Sequence, residues 1–79
     1  MYLEIITPEK MLFSGEIELV KLPGDVGSFE ILQNHAPLIS TLTEGKIKVK
    51  DIKGITSYYD ISSGVAEVSN NMVRVLVES

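Results

Sequence analysis

The sequence contains no cysteine and no tryptophan, and it has a single histidine among its 79 residues. The lack of cysteine excludes disulfides, thiolate catalysis, cysteine-type zinc sites and iron–sulfur clusters. A chain of this length buries only about 60% of the surface that its unfolded form exposes. Stability must therefore come from a compact core or from a partner, and we expect a single domain over residues 1–79.

Long apolar runs and an excess of basic residues are also absent. No apolar run exceeds three residues, whereas a membrane-spanning helix needs about 20. Seven basic and eleven acidic side chains give a net charge of −4, which opposes binding to nucleic acid because phosphate contacts need a clustered basic surface. The first four residues lack the basic start of a secretory signal. These features predict a soluble chain in a cytoplasmic-type compartment.

A period of two, interrupted by turn residues, dominates the sequence and is typical of half-buried strands. In residues 45–50, Ile47 and Val49 alternate with lysines at 46, 48 and 50, so that one face is apolar and the other is basic. The lysines could bind an acidic partner. We favour the interpretation that they protect a solvated edge strand from unwanted pairing.

Three further patterns refine the predicted β structure. Residues 72–78 alternate and predict a well-buried strand with its valines on one face. In residues 16–22 the alternation slips after Leu19, which indicates a β-bulge. Asn70 and Asn71 suit a tight hairpin because asparagine tolerates positive φ. Short strands with frequent turns and no helical pattern predict an all-β sandwich or barrel.

Candidates for catalysis and cofactor binding are few. His35 could act as a general base, with Asp25 or Glu30 to orient it and Ser28 as nucleophile, but residue types alone do not make a triad. We favour a structural or interfacial role for His35. The glycines of residues 23–27 are followed by no Gly-Lys-Ser/Thr motif and predict an exposed turn rather than a phosphate loop. No second histidine or close carboxylate pair indicates a metal site, and we expect no cofactor.

Lys53 offers an alternative function of a different class. It is predicted to lie in a turn between two strands, where lipoyl and biotinyl carrier domains hold their modified lysine. The residues beside Lys53 match such domains poorly, because no acidic residue or methionine flanks the lysine directly. We therefore expect Lys53 to be an ordinary turn residue.

Six stretches of the chain occur in an order and spacing that chance would rarely produce. They are Thr7-Pro8-Glu9-Lys10, Leu12-Phe13-Ser14-Gly15-Glu16, Leu22-Pro23-Gly24-Asp25-Val26-Gly27-Ser28-Phe29, Ile31-Leu32-Gln33-Asn34-His35-Ala36-Pro37-Leu38, Gly45, and Ser63-Gly64-Val65-Ala66-Glu67-Val68. Together they closely resemble the epsilon subunit of bacterial and chloroplast F-type ATP synthases. The resemblance covers essentially the whole chain.

The resemblance implies an all-β fold, specifically a ten-stranded β-sandwich, and a non-catalytic subunit of the rotor. Such a subunit binds the gamma subunit and rests on the c-ring, within a complex that also contains alpha, beta and delta subunits. Its role would be to help couple transmembrane proton or sodium flow to ATP synthesis. The resemblance also implies a peripheral location at the cytoplasmic face of the bacterial inner membrane.

The resemblance implies two contact surfaces on this chain. The surface facing gamma comprises Thr7, His35, Ala36, Pro37 and Ser40. The turn facing the c-ring comprises Gly24, Asp25, Val26, Gly27, Ser28, Phe29 and Glu30. Glycine permits a compact turn at 24 and 27, and Pro37 fixes the backbone where a strand begins. We expect the carboxylates of Asp25 and Glu30 to steer the ring contact more than to supply affinity.

The sequence departs from the family pattern at three places. Glu30 stands where glycine is common, and Gln33 stands where proline is usual. The chain stops at Ser79, whereas typical members continue into a helical hairpin that can bind ATP or inhibit hydrolysis. We therefore expect neither regulatory activity from this chain, and both a naturally short form and a trimmed chain are consistent with the sequence.

Overall fold

The computed structural model describes all 79 residues, and every regular element in it is a β-strand. The all-β prediction is confirmed. The strands are β1 (Tyr2–Ile6), β2 (Met11–Gly24), β3 (Gly27–Ile31), β4 (Leu38–Leu42), β5 (Gly45–Asp51), β6 (Thr56–Ile61), β7 (Ser63–Ser69) and β8 (Met72–Glu78). The strand count is eight rather than the expected ten. One reason is that β2 runs unbroken for 14 residues and supplies strand pairing to both layers.

The two layers of the sandwich share β2. In one layer the order is β4, β7, β8, β1 and the first part of β2, and in the other it is β3, the second part of β2, β5 and β6. Most neighbouring strands are antiparallel, but β1 and β8 are parallel, with Tyr2 opposite Met72 and Ile6 opposite Leu76. The first and last strands therefore lie side by side within one layer.

The predicted bulge lies in β2 at the point where the strand passes between the layers. Ile17 is opposite Asp51 and Leu19 is opposite Lys50, so Glu18 is the extra residue. The insertion lets Ile17, Val20 and Leu22 all point into the core. A bulge bends its strand, which allows one continuous strand to serve both layers.

The core is a single cluster of buried aliphatic side chains from both layers. At its margin, the rings of Phe13 and Tyr59 meet edge to face with centroids 6.3 Å apart, a favourable aromatic geometry. The cluster comprises Met1, Leu3, Ile5, Ile17, Val20, Leu22, Ile31, Leu42, Ile47, Val49, Ile61, Ala66, Val68, Val73, Val75 and Val77. The predicted inward faces of residues 45–50 and 72–78 are thus confirmed, although the outward face of β8 is largely exposed.

The edge-strand interpretation of the lysines is wrong. β5 lies inside its layer, paired with β2 on one side and β6 on the other. Its lysines project from a solvated sheet face rather than guarding an open edge. Lys46 forms an ion pair with Asp60 (2.7 Å) and Lys50 with Glu18 (3.4 Å), whereas Lys48 lies opposite Lys21.

The predicted hairpin at residues 70–71 is confirmed. Asn70 and Asn71 have φ angles of 52° and 59° and join β7 to β8 through a two-residue loop. Two consecutive positive φ angles are the signature of a type I′ turn, whose twist matches that of the flanking strands. No helix of a length and apolarity suited to crossing a membrane is present.

Candidate functional site

The turn predicted to face the c-ring is a tight hairpin between β2 and β3. Gly24 pairs with Gly27, which leaves Asp25 and Val26 as the loop. Gly27 has a φ of 128°, a conformation that favours glycine. The side chain of Val26 is fully exposed at the tip. The turn is therefore compact and projecting, as predicted from its glycines.

Two contacts join the turn and the end of β2 to β4 and to the residue that follows it. The Thr41 hydroxyl donates a hydrogen bond to the Asp25 carboxylate. The amide of Thr43 donates to the carbonyl oxygen of Pro23 at 2.8 Å. One of the two carboxylates expected to contact the ring is thus oriented by β4, while Glu30 projects into solvent opposite Lys21 of β2.

His35 lies in the loop between β3 and β4. Its amide donates to the carbonyl oxygen of Leu32 at 3.2 Å. Its Nδ1 is 2.7 Å from the carbonyl oxygen of Ala36, and a carbonyl can only accept, so Nδ1 carries the proton and donates. Nε2 makes no protein hydrogen bond. The ring is half-buried, which fits the structural or interfacial role predicted for it.

Gln33 anchors this loop, a role that its sequence position did not indicate. Its side-chain amide donates to the carbonyl oxygen of Ile17 at 2.9 Å. Its side-chain oxygen accepts from the amino group of Met1 at 2.9 Å and from the Asn71 side chain at 3.3 Å. Gln33, which stands where the resemblance would place a proline, thus ties the His35 loop to three other segments. The one signal in the sequence for this anchoring role is that a glutamine side chain carries both a hydrogen-bond donor and an acceptor.

The structure brings the two predicted contact surfaces together. Residues 26–30 of the turn and His35, Leu38, Ile39 and Ser40 line one groove of about 480 Å³ between β3 and β4. We call it the β3–β4 groove. Phe29 and Leu38 at this groove also pack against the core. Pro37 immediately precedes β4, as expected for a residue that fixes the start of a strand.

Thr7 lies apart from this groove and is only 6% exposed. Its hydroxyl accepts from the amide of Lys10 and donates to the Lys10 carbonyl oxygen, each at 3.0 Å. These bonds close the turn between β1 and β2. Thr7 lines a second groove, of about 640 Å³, together with residues of β4, β7 and β8. Its side chain therefore offers little surface to a partner in this structure.

The candidate catalytic residues are not connected by hydrogen bonds. Ser28 and His35 line the same groove, but His35 bonds to Ala36 and Asp25 bonds to Thr41. No group of three or more histidine, aspartate or glutamate side chains is placed to hold a metal ion. Lys53 lies in the turn after β5, where its amide donates to the Asp51 carboxylate at 2.8 Å.

The chain matches one known family along its entire length. Residues 1–79 match the model described as the ATP synthase delta/epsilon chain, β-sandwich domain. An ATP synthase epsilon chain from Caulobacter vibrioides is 42% identical over 78 residues, which are 99% of this chain and 90% of the relative. The epsilon chain of Nitratidesulfovibrio vulgaris strain DP4 is 42% identical over 79 residues, but these make up only 58% of that relative.

Solved structures share the fold at lower identity. A chain in the cryo-EM structure of the Euglena gracilis mitochondrial ATP synthase, showing OSCP, F1 and c-ring, superposes with a TM-score of 0.91 at 20% identity. The match covers 98% of this chain and 49% of the other. A chain of the Tetrahymena thermophila central stalk and c-ring structure gives a TM-score of 0.84 at 16% identity, covering 100% and 63%. The chain belongs to the ATP synthase delta/epsilon β-sandwich domain family.

Proposed function

We propose that this chain is a non-catalytic subunit of the ATP synthase rotor that links the gamma subunit to the c-ring. The observation that carries the proposal is the family match over all 79 residues, together with a 42% identical epsilon chain of which this chain covers 90%. In this role residues 1–79 act as one rigid unit. They transmit torque between partners and carry out no bond chemistry.

Two features of the molecule support a mechanical role. The buried aliphatic cluster joins both layers into one body, and a rigid body is what torque transmission requires. One of the two grooves described above is bounded by a projecting turn, and its candidate catalytic residues share no hydrogen bond. Lys53 has no comparable support as a modified lysine, because the family that matches is not a carrier family.

The proposal assigns the two contact surfaces as the resemblance implied. Thr7, His35, Ala36, Pro37 and Ser40 contact gamma, with Thr7 reached through the second groove, where its side chain is largely buried. Residues 24–30 contact the ring. We propose that Asp25 and Glu30 meet basic or amide groups of the polar ring loops, which would speed and orient docking. The location that follows is the cytoplasmic face of the bacterial inner membrane, and the coupled ion is a proton or sodium.

Isolation of the native complex tests the rotor assignment. A tagged chain would be purified from gently solubilised membranes, and the partners and the intact mass of the bait determined by mass spectrometry. We expect gamma, alpha, beta and c subunits and an unmodified mass. Acyltransferase or carboxylase subunits, with mass added at Lys53, would instead identify a carrier domain.

A pair of charge reversals tests the ring contact. We expect Asp25→Lys with Glu30→Lys to weaken attachment to the c-ring at low ionic strength and less so in high salt. The matched control is Glu67→Lys with Glu78→Lys, which changes the net charge equally on the exposed faces of β7 and β8. Equal retention of both double variants on purified c-ring would refute the role of the two carboxylates.

A further inference from the structure

The outward face of the layer that contains β5 carries most of the basic side chains of the protein. Ile47 and Val49 point into the core, so the lysines that alternate with them point to solvent. Lys21 of β2 points the same way, because its neighbours Val20 and Leu22 are buried. Four of the seven basic residues therefore lie on one face of a chain whose net charge is −4. This lysine face is defined by Lys21, Lys46, Lys48 and Lys50.

Two lysines of this face are already neutralised within the chain. The Nζ of Lys46 is 2.7 Å from a carboxylate oxygen of Asp60 in β6, and the Nζ of Lys50 is 3.4 Å from one of Glu18 in β2. Each pair adds no net charge to the face. The free positive charge therefore lies between the two pairs, in the middle of the sheet.

This free charge belongs to Lys21 and Lys48, which are direct cross-strand neighbours. Neither lysine forms an ion pair, and Glu30, which lies opposite Lys21 on β3, is beyond ion-pair distance from it. Side chains directly opposite each other have Cβ atoms about 5 Å apart, and like charges in this position repel. The folded chain thus holds two unneutralised ammonium groups close together, and a bound anion would relieve their repulsion.

Tyr58 extends this row of side chains to the edge of the sheet. It lies opposite Lys48 in β6 and is 60% exposed. An aromatic ring is therefore available beside the two ammonium groups. A ligand that covers the row would bury apolar surface as well as neutralise charge, and exposed tyrosine is a residue type enriched at protein interfaces.

The surrounding charges favour an acidic protein segment over other polyanions. Glu30 borders the row on one side, and the paired carboxylates of Glu18 and Asp60 lie beside it. Nucleic acid and anionic membranes present closely spaced phosphates over a wide area, which would bring some of them against these carboxylates. The net charge of −4 opposes the same approach. A single side-chain carboxylate can instead be placed between Lys21 and Lys48.

We propose that the lysine face binds an acidic segment of a partner protein, with a carboxylate between Lys21 and Lys48 and an apolar group against the ring of Tyr58. The charges fix the position and orientation of the segment more than its affinity, since exposed ion pairs contribute little. The contact is independent of the rotor assignment, because none of these three residues is among those assigned to gamma or to the ring. It also gives the lysines of β5 a role that edge protection does not supply.

Binding of a fluorescein-labelled hexaglutamate peptide tests the charge complementarity. Fluorescence anisotropy would compare Lys21→Gln with Lys48→Gln, as one double variant, against Lys10→Gln with Lys53→Gln, which removes the same charge from exposed lysines in two turns. We expect the first double variant to bind at least about 5-fold more weakly than the control at low ionic strength, with a smaller difference in high salt. Equal binding by the two double variants, or no binding by the unsubstituted chain, would overturn the proposal.

An amide NMR titration with the same peptide locates the contact. We expect the signals of Lys21, Lys48 and Tyr58 to shift and those of residues 63–69 in β7 to stay in place. Shifts confined to any other surface would contradict the assignment of the site.

Vesicles that contain phosphatidylglycerol test the alternative partner class. We expect them not to capture the chain, because its net charge is negative. Capture that is lost in the double variant of Lys21 and Lys48 but kept in the control would replace the protein partner with a lipid surface and overturn the proposal.

Discussion

The side-chain oxygen of Asn71 accepts a hydrogen bond from the backbone amide of Asn34 at 2.8 Å, although the two residues are 37 positions apart. The same side chain donates to Gln33 at 3.3 Å. Asn71 thus has two separate roles. Its positive φ shapes the hairpin between β7 and β8, and its carboxamide holds the loop that carries His35.

These two roles can be separated by glycine substitutions. Glycine accepts positive φ, so Asn70→Gly and Asn71→Gly both preserve the turn. Only Asn71→Gly removes the contacts to the His35 loop. We expect its free energy of unfolding to be about 1–2 kcal/mol below that of Asn70→Gly, measured by urea denaturation. Equal stabilities would show that the long-range contacts contribute nothing.

Gly24 is predicted to resist substitution for steric reasons. A Cβ at this position would lie 2.8 Å from the Gly27 carbonyl oxygen and 2.9 Å from Cε1 of Phe29. We expect Gly24→Ala to lower the free energy of unfolding by about 1–3 kcal/mol. Gly15→Ala is the control, since its nearest atom would be 3.6 Å away. A Gly24→Ala variant as stable as this control in chemical denaturation would refute the crowding.

Alanine substitutions at a buried and an exposed isoleucine distinguish the contribution of core packing to stability from that of side-chain hydrophobicity in general. Ile5 is 0% exposed in the core, whereas Ile52 is 61% exposed in the turn after β5. We expect Ile5→Ala to cost about 2–5 kcal/mol in unfolding free energy, which would leave a domain of this size near its stability limit. Ile52→Ala should change stability by less than about 0.5 kcal/mol. Thermal and urea unfolding of both variants would measure the difference.

The lysine face of β5 gives an electrostatic prediction. Lys48 lies opposite Lys21, and like charges in that position destabilise a sheet. We expect Lys48→Glu to raise the free energy of unfolding by about 0.2–1 kcal/mol at low salt, with the gain falling as ionic strength rises.

The control for this prediction is Lys46→Glu. It makes the same change in net charge but breaks the ion pair with Asp60, so it should not stabilise the chain. If both variants gained stability equally, the effect would come from net charge rather than from the contact between Lys48 and Lys21.

The elements predicted correctly from the sequence are those whose determinants are local. The alternation of Ile47 and Val49 indicated which face of β5 is buried, and Asn70 with Asn71 identified the hairpin. The slip after Leu19 indicated a bulge, which the structure has just before that residue, at Glu18. Each of these features depends on side chains within a few positions of one another, so a single sequence contains the needed information.

The features that were missed depend on long-range pairing. The lysines of β5 resemble edge protection until the pairing with both β2 and β6 is known. Likewise, no local pattern shows that the β3–β4 groove places His35 beside residues 26–30. The resemblance was enough to name the expected contact residues, but their arrangement in space could be seen only once the fold was known.

The parallel pairing of β1 with β8 has a consequence for how the molecule is made. The ion pair between Glu4 and Arg74 joins residues 70 positions apart, and β8 fills the space between β1 and β7. During synthesis β1 can pair with β2 as soon as that strand has emerged, but its other edge lacks β8 until nearly all of the remaining residues have been made. Contacts this distant in sequence slow folding. An unfinished chain would therefore expose Leu3 and Ile5, and we expect nascent-chain chaperones to bind there until the last strand arrives.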